Sequence, residues 1–418
     1  MNTPLKVLYI TTEIPYPLTS GFLRHYYFLR ALGPRHQIAF LSLTKKSEFS
    51  QEARQALAPL VESMQVFGMP QASEPWLVRK VVHLPVVGKK WQGALRIRWA
   101  ARELQKAVHA RLRDERFDLI MFSGKNTFPA IAPVHETPIV ADCCDATSAR
   151  VSGEMKHAGP VRKLWLLMRY LEVKRIEKRL VRKTSFLVFA SHRDRKVMLG
   201  NLEAGEILPQ AVDAEYWSRA SLPHKENCLV FTGVMNYSPN HDAALFLIEK
   251  ILPLVRREFP GVEVVIGGRD PLPALQAAAQ RHARVQVTGF VEDLRPYLAQ
   301  AAVYVAPIRY ASGVQNKILE ALAMATPVVT TNVVADGLRM NEKTQLPLLI
   351  AETAEQFAEK IIHLLQQKKD RERLSLAGRQ FVEKNFVWAR NFEKLERLWL
   401  AAAGRKNSRV EKHRSDKL

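Results

Sequence analysis

Cysteine is scarce in this chain, with three in 418 residues: Cys143, Cys144 and Cys228. Three thiols cannot build a disulfide framework, and the adjacent pair lacks further ligands at zinc spacing. A reducing, cytoplasmic compartment is therefore the expectation. Long apolar runs are missing too: no stretch reaches the ~18 residues that cross a bilayer. The N-terminus, MNTPLKVLYITTEIPYP, has neither a charged leader nor a small-residue cleavage site, so no signal peptide is predicted. Short-period repeats and low-complexity segments are absent. A composition of 47% hydrophobic and 25% charged residues excludes wholesale disorder, collagen and coiled coil.

Acidic residues are also under-represented, 41 against 62 basic, for a net charge of +21. Residues 1–200 hold 33 Lys and Arg against 16 Asp and Glu, a net of +17. The remainder of the excess equals that of the last fourteen residues, RKNSRVEKHRSDKL, with six basic and two acidic groups. A basic first half attracts polyanions: nucleic acid, anionic lipid or phosphorylated ligands. No helix-turn-helix, zinc or RNP-like signature accompanies it, so nucleic acid is not an expected partner. Two basic stretches interleave Trp and Leu with Lys and Arg: Trp76–Trp99 and Val161–Lys183. Such interleaving suits an anionic membrane surface. The second stretch alone better suits a core helix with a solvated basic face, its apolar positions including Leu164, Met168, Leu171, Ile176 and Leu180.

Short β-branched runs alternate with helical segments throughout. Strands are predicted at Lys6–Thr11, Gln37–Ser42, Phe117–Phe122, Pro138–Asp142 and Ser185–Ser191. After Pro209 the pattern restarts with Cys228–Gly233, Val262–Gly267, Arg284–Gly289, Ala302–Ala306, Pro327–Thr331 and Leu346–Ile350. Helices are predicted at Phe22–Leu32, His241–Arg257, Val314–Met324 and Glu355–Leu365. Runs apolar on both faces are the mark of parallel strands covered by helices. The restart predicts two doubly wound α/β domains, with a boundary in the turn-rich segment 209–227.

Ligands of such sheets bind beyond the carboxyl ends of the strands. The first strand runs into a loop ending at Ser20 and Gly21, then a helix carrying His25. Asp142 ends another strand, with Asp145 just beyond, and Lys125 lies in the loop after a third. The most specific segment is RYASGVQNKILEALAMATPVVT, residues 309–330. Gly313 before the helix leaves free N–H groups suited to a diphosphate. Lys317 adds a point charge, and Glu320, three residues on, shares its helical face and suits a ribose diol.

The pattern G-x-x-x-K-x-x-E-A-x-A-x-x-x-P-V-V-x-T in this segment resembles the nucleotide-binding signature of GT-B glycosyltransferases, family 4. So do TGFVEDLRPY (288–297), FTGVMNYSPN (231–240) and IGG (266–268). FVW (386–388) resembles the segment that crosses back to the first domain. The overall pattern is closest to sugar transferases of PEP-CTERM and exopolysaccharide systems. The likeness implies a GT-B fold with an acceptor-binding domain over 1–208 and a donor-binding domain over 209–385. It implies a returning helix over 386–403, and a basic disordered tail is predicted over 404–418. It implies retaining, metal-independent transfer from a nucleoside-diphosphate sugar; the net charge of +17 and the Trp/Lys stretch suit a glycan or polyprenyl-diphosphate-linked acceptor at the inner face of the cytoplasmic membrane. Donor contacts would come from Gly233, Gly267, Gly289, Phe290, Ser312, Gly313, Val314, Gln315, Asn316, Lys317 and Glu320. Lys317, Arg309 and Glu320 would act on the reacting diphosphate sugar; Ser20, Gly21, His25, Lys125 and Asp142 would face the acceptor. If a base exists, Asp142, Asp145 or His25 would supply it.

Departures from the family pattern carry information as well. Ser312 stands where the family's E-x7-E has its first Glu. The loop Val234–His241 lacks the family's Arg and Lys, and SGKN (123–126) replaces a histidine-bearing loop. A non-catalytic GT-B partner, or a UDP-sugar epimerase of the same architecture, remains an alternative.

Overall fold

The computed structural model describes residues 3–17, 22–44, 49–68, 89–200, 204–219 and 225–415, with the side chains of 89–98, 126 and 405–415 excepted. Ser20, Gly21 and most of the Trp76–Trp99 stretch lie outside the described residues.

Two parallel sheets form. The first holds β1 (Lys6–Thr11), β2 (Gln37–Leu43), β3 (Ser63–Phe67), β4 (Leu119–Ser123), β5 (Ile139–Cys144), β6 (Phe186–Phe189) and β7 (Glu206–Ile207), in the order β3-β2-β1-β4-β5-β6-β7. The second holds β8 (Cys228–Thr232), β9 (Glu263–Gly267), β10 (Val285–Val287), β11 (Val303–Ala306), β12 (Val328–Thr330) and β13 (Leu349–Ile350), in the order β10-β9-β8-β11-β12-β13. Central strands are buried on both faces: every residue of β8 and β11 is inaccessible to solvent. That is why their sequences read as unbroken apolar runs rather than alternating ones. Strand order reverses between β1 and β4, and again between β8 and β11, so each sheet has its crevice at those strand ends.

The helices that bear on the crevice are α1 (Leu23–Leu32), α2 (Lys89–Asp114), α3 (Thr147–Lys156), α4 (Pro160–Lys183), α5 (His192–Leu199), α6 (Ser238–Phe246) and α7 (Asn316–Ala323). α8 (Lys368–Asn385) ends in the second domain and α9 (Trp388–Ser415) returns to the first. Phe386 is buried in the second core; Trp388, Leu395 and Trp399 are buried in the first, against Tyr9 and Phe28. The chain crosses the other way between Ala211, in the first core, and Val212, in the second. The two crossings touch: the Val212 amide donates to the Phe386 carbonyl at 3.0 Å. Arg379 of α8 fastens the first crossing through the Ala214 and Trp217 carbonyls.

The helical backbone of α9 runs through Ser415, past the residue 404 at which the tail is expected to begin. The structure also adds β3 and β7, two edge strands without a strong apolar run. Among the described residues, no helix is long and apolar enough to cross a membrane. All three cysteines are free.

Candidate active site

A cleft of about 900 Å3 opens between the carboxyl ends of the two sheets. Its second-domain wall is built around three strand ends. The Gly233 amide after β8 donates to the Gly267 carbonyl at 2.9 Å, and Gly268 pairs with Gly289 beyond β10. Backbones meet so closely that a Cβ on Gly268, at φ 137°, would lie 1.9 Å from the Gly233 carbonyl oxygen. No side chain fits there. Gly233, Gly268, Arg269 and Phe290 face the cleft; Gly267 and Gly289 stand behind them as backbone supports. Phe290 is 69% exposed, an aromatic face open to a planar ligand.

α7 supplies the charged pair. Its first turn closes with the Ile318 and Leu319 amides on the Gln315 carbonyl, leaving the Asn316 and Lys317 amides at the open helix end. Lys317 reaches across to the Asn240 side-chain oxygen, and its ammonium lies 5.4 Å from the centre of the Phe231 ring. Burial brings Lys317 down to about 8 and pushes Glu320 up to about 7, each charge partly opposing the shift of the other. Val314, Gln315, Asn316, Lys317 and Glu320 all line the cleft.

The first-domain wall is more locked. His25 is buried between the Tyr9 hydroxyl (2.8 Å) and the Ser123 hydroxyl (3.0 Å). Burial and Arg24 hold its pKa well below the usual range, so the imidazole is neutral. Asp142 pairs with Arg24 at 3.1 Å and accepts from the Cys144 amide at 3.0 Å. Burial raises its pKa against the pull of Arg24. Lys125 donates to the Asp145 carbonyl (2.7 Å), the Asp145 carboxylate (3.2 Å) and the Thr147 hydroxyl (2.9 Å). Burial opposes its charge, but Asp145 and Glu177 outweigh it and raise the pKa.

Across the seam, the Ser312 hydroxyl donates to Asp145 at 2.5 Å. The Gly313 amide donates to both Asp194 oxygens, at 3.3 and 3.2 Å. Arg193 donates to the carbonyls of Gly313 and Val333. Asp194 is placed by α5, whose first turn is capped by Ser191.

Two of the expected site residues have partners within the protein. Arg309 does not line the cleft: its guanidinium holds Asp242 of α6 through two hydrogen bonds and lies over Phe246. A carboxylate one turn into α6 outcompetes any open position for it. The Gly313 amide, expected to face a diphosphate, already serves the Asp194 carboxylate. Arg269, which sequence reasoning passed over, lines the cleft and pairs with Asp270 at 3.6 Å; its signal is the strand end Gly267–Gly268 immediately before it.

Residues 226–367 match the family described as Glycosyl transferases group 1. No curated protein sequence matches the chain. Several solved structures share the fold over nearly the whole length. HepE from Anabaena, in complex with UDP and glucose, superposes with a TM-score of 0.65 at 13% identity, over 94% of this chain and 99% of that one. Sucrose-phosphate synthase from Thermosynechococcus elongatus gives 0.69 at 14%, over 95% and 98%. A TarM variant from S. aureus, in complex with fondaparinux, alpha-GlcNAc-glycerol and UDP, gives 0.64 at 11%, over 94% and 100%. The fold is GT-B, as the resemblance implied.

Proposed function

We propose that this GT-B protein, whose residues 226–367 belong to the group 1 glycosyltransferases, moves a sugar from a nucleoside-diphosphate sugar to a glycan or lipid-linked acceptor. The observation that carries this reading is Lys317 and Glu320, one turn apart on α7, both facing the cleft at the β8–β11 switch point. HepE and TarM, with the same fold, are seen with UDP.

In this reading Glu320, when ionised, accepts two hydrogen bonds from the ribose diol. Phe290 stacks on the base. Lys317 and Arg269 neutralise the diphosphate as it leaves, which is the larger part of what transfer requires. Retention of configuration and independence from metal are carried over from the family resemblance, with the departing phosphate oxygen taking the acceptor's proton. Neutral His25 and the Arg24-bound Asp142 are then positioning groups of the acceptor wall rather than a base. Exopolysaccharide or cell-surface polysaccharide synthesis at the inner membrane face is the setting in which such an acceptor occurs.

Calorimetry and thermal shift with UDP, GDP, ADP and their sugars test the reading. A ligand at 100-fold over its Kd stabilises by about 2.7 kcal/mol. One diphosphate should do so selectively in the wild type and lose the effect in Glu320→Ala; indifference to every nucleotide overturns the reading. The occupied Gly313 amide favours a second reading, a non-catalytic GT-B partner. Donor binding without turnover on any lipid-linked acceptor would establish that one instead.

A further inference from the structure

Helix α4 has two apolar faces. Leu166, Val173 and Leu180 are buried against the first domain, and Val173, Ile176 and Leu180 border the cleft where it enters the layer beneath α2. On the opposite side, Val161 (87% exposed), Leu164, Trp165 (57%), Met168 (58%) and Leu171 lie open to solvent. At ~100° per residue these positions form one stripe two to three turns long. Three of them, Leu164, Met168 and Leu171, read in the sequence as core; the structure faces them outward because the inward stripe is taken by Leu166, Val173, Glu177 and Leu180. Farther along the helix the same side becomes basic: Arg175, Lys178, Arg179 and Arg182 are exposed. One acidic group lies between the two faces, Glu172, which lines the cleft and is held by Arg169 at 3.2 Å.

We propose that this outer face of α4 seats the first domain on an anionic lipid bilayer, its apolar turns entering the interface and its basic turns meeting the headgroups. Charge selects the occupant: the stripe passes from apolar to cationic, in a half of the chain with a net charge of +17. A protein partner matched to apolar turns alone leaves the four cations without a counterpart. Because the inner face of the same helix borders the cleft, a bilayer held by α4 lies next to the acceptor wall. This placement deepens the lipid-linked acceptor reading and rests on it for its meaning, while the docking itself does not depend on transfer.

Flotation with vesicles of phosphatidylcholine, with and without phosphatidylglycerol, tests the docking on the full chain. Wild type should float with the phosphatidylglycerol vesicles alone. Recovery should fall about tenfold in Leu164→Ser/Trp165→Ser/Met168→Ser and in Arg175→Gln/Arg179→Gln/Arg182→Gln, with a further loss at high salt. All six side chains are exposed, so both variants should keep the wild-type circular dichroism and the wild-type UDP isotherm. Equal recovery on neutral vesicles, or unchanged recovery in the apolar variant, overturns the proposal. So does a wild-type dimer, seen by sedimentation velocity without vesicle binding, that dissociates in the apolar variant; the face would then belong to a second copy. Absence of UDP binding in otherwise floating protein strikes the donor reading and leaves the docking standing.

Discussion

At the scale of single residues, the cleft is governed by two side chains whose charge is contested. Glu320 ionises near 7 and Lys317 loses its proton near 8. Donor binding needs an anionic Glu320 and a cationic Lys317. Affinity for a nucleoside diphosphate should therefore rise as pH climbs through about 7 and fall above about 8, measured by calorimetry across pH 5.5–9.5. Glu320→Gln should flatten the rising limb and weaken binding by about tenfold, a loss of one charge-assisted contact. Gly268→Ala should displace the Gly233 loop and weaken donor binding at least as much, with a fall in Tm; unchanged affinity would show that the loops have slack. Lys317 and Glu320 were legible because helix periodicity alone puts them on one face. The place of Arg309 was not legible, because its partner, Asp242, is 67 residues away, beyond anything spacing reports. Arg269 was missed because a lone Arg after a strand end carries no pattern in the sequence, and only the fold sets it on the cleft.

At the scale of elements, buried parallel strands were the most readable feature, since a run covered on both faces must be apolar throughout. β3 and β7 were not, because an edge strand needs little burial and leaves little pattern. α4 is the instructive helix. Its apolar positions were visible, but two stripes on opposite faces cannot be sorted into core and surface without the neighbouring elements. α9 makes a sharper prediction. Trp399 is fully buried where the helix returns to Tyr9 and His36. Trp399→Ala should cost about 3–5 kcal/mol, read as a fall in the urea midpoint. A loss below 1 kcal/mol would mean that α9 is not integral to the first core.

At the scale of the whole molecule, the two-domain architecture follows from a pattern that simply starts again after Pro209. The seam between the domains does not, because Asp145 and Asp194 meet Ser312 and Gly313 only in three dimensions. Asp194 places a negative charge on an amide at the end of the donor wall. Asp194→Asn should keep the Ser191 cap, loosen the seam and raise affinity for UDP several-fold, with a lower Tm; weaker UDP binding would show that the carboxylate helps the donor instead. Both covalent passages between the domains run side by side, joined at Val212 and Phe386. Two chain segments tied at one backbone hydrogen bond favour a swing of one lobe about that point, opposed by the seam bonds of Ser312 and Gly313. A cross-link between residues 212 and 386 should therefore hold the two passages together and leave that swing, and donor binding, unchanged.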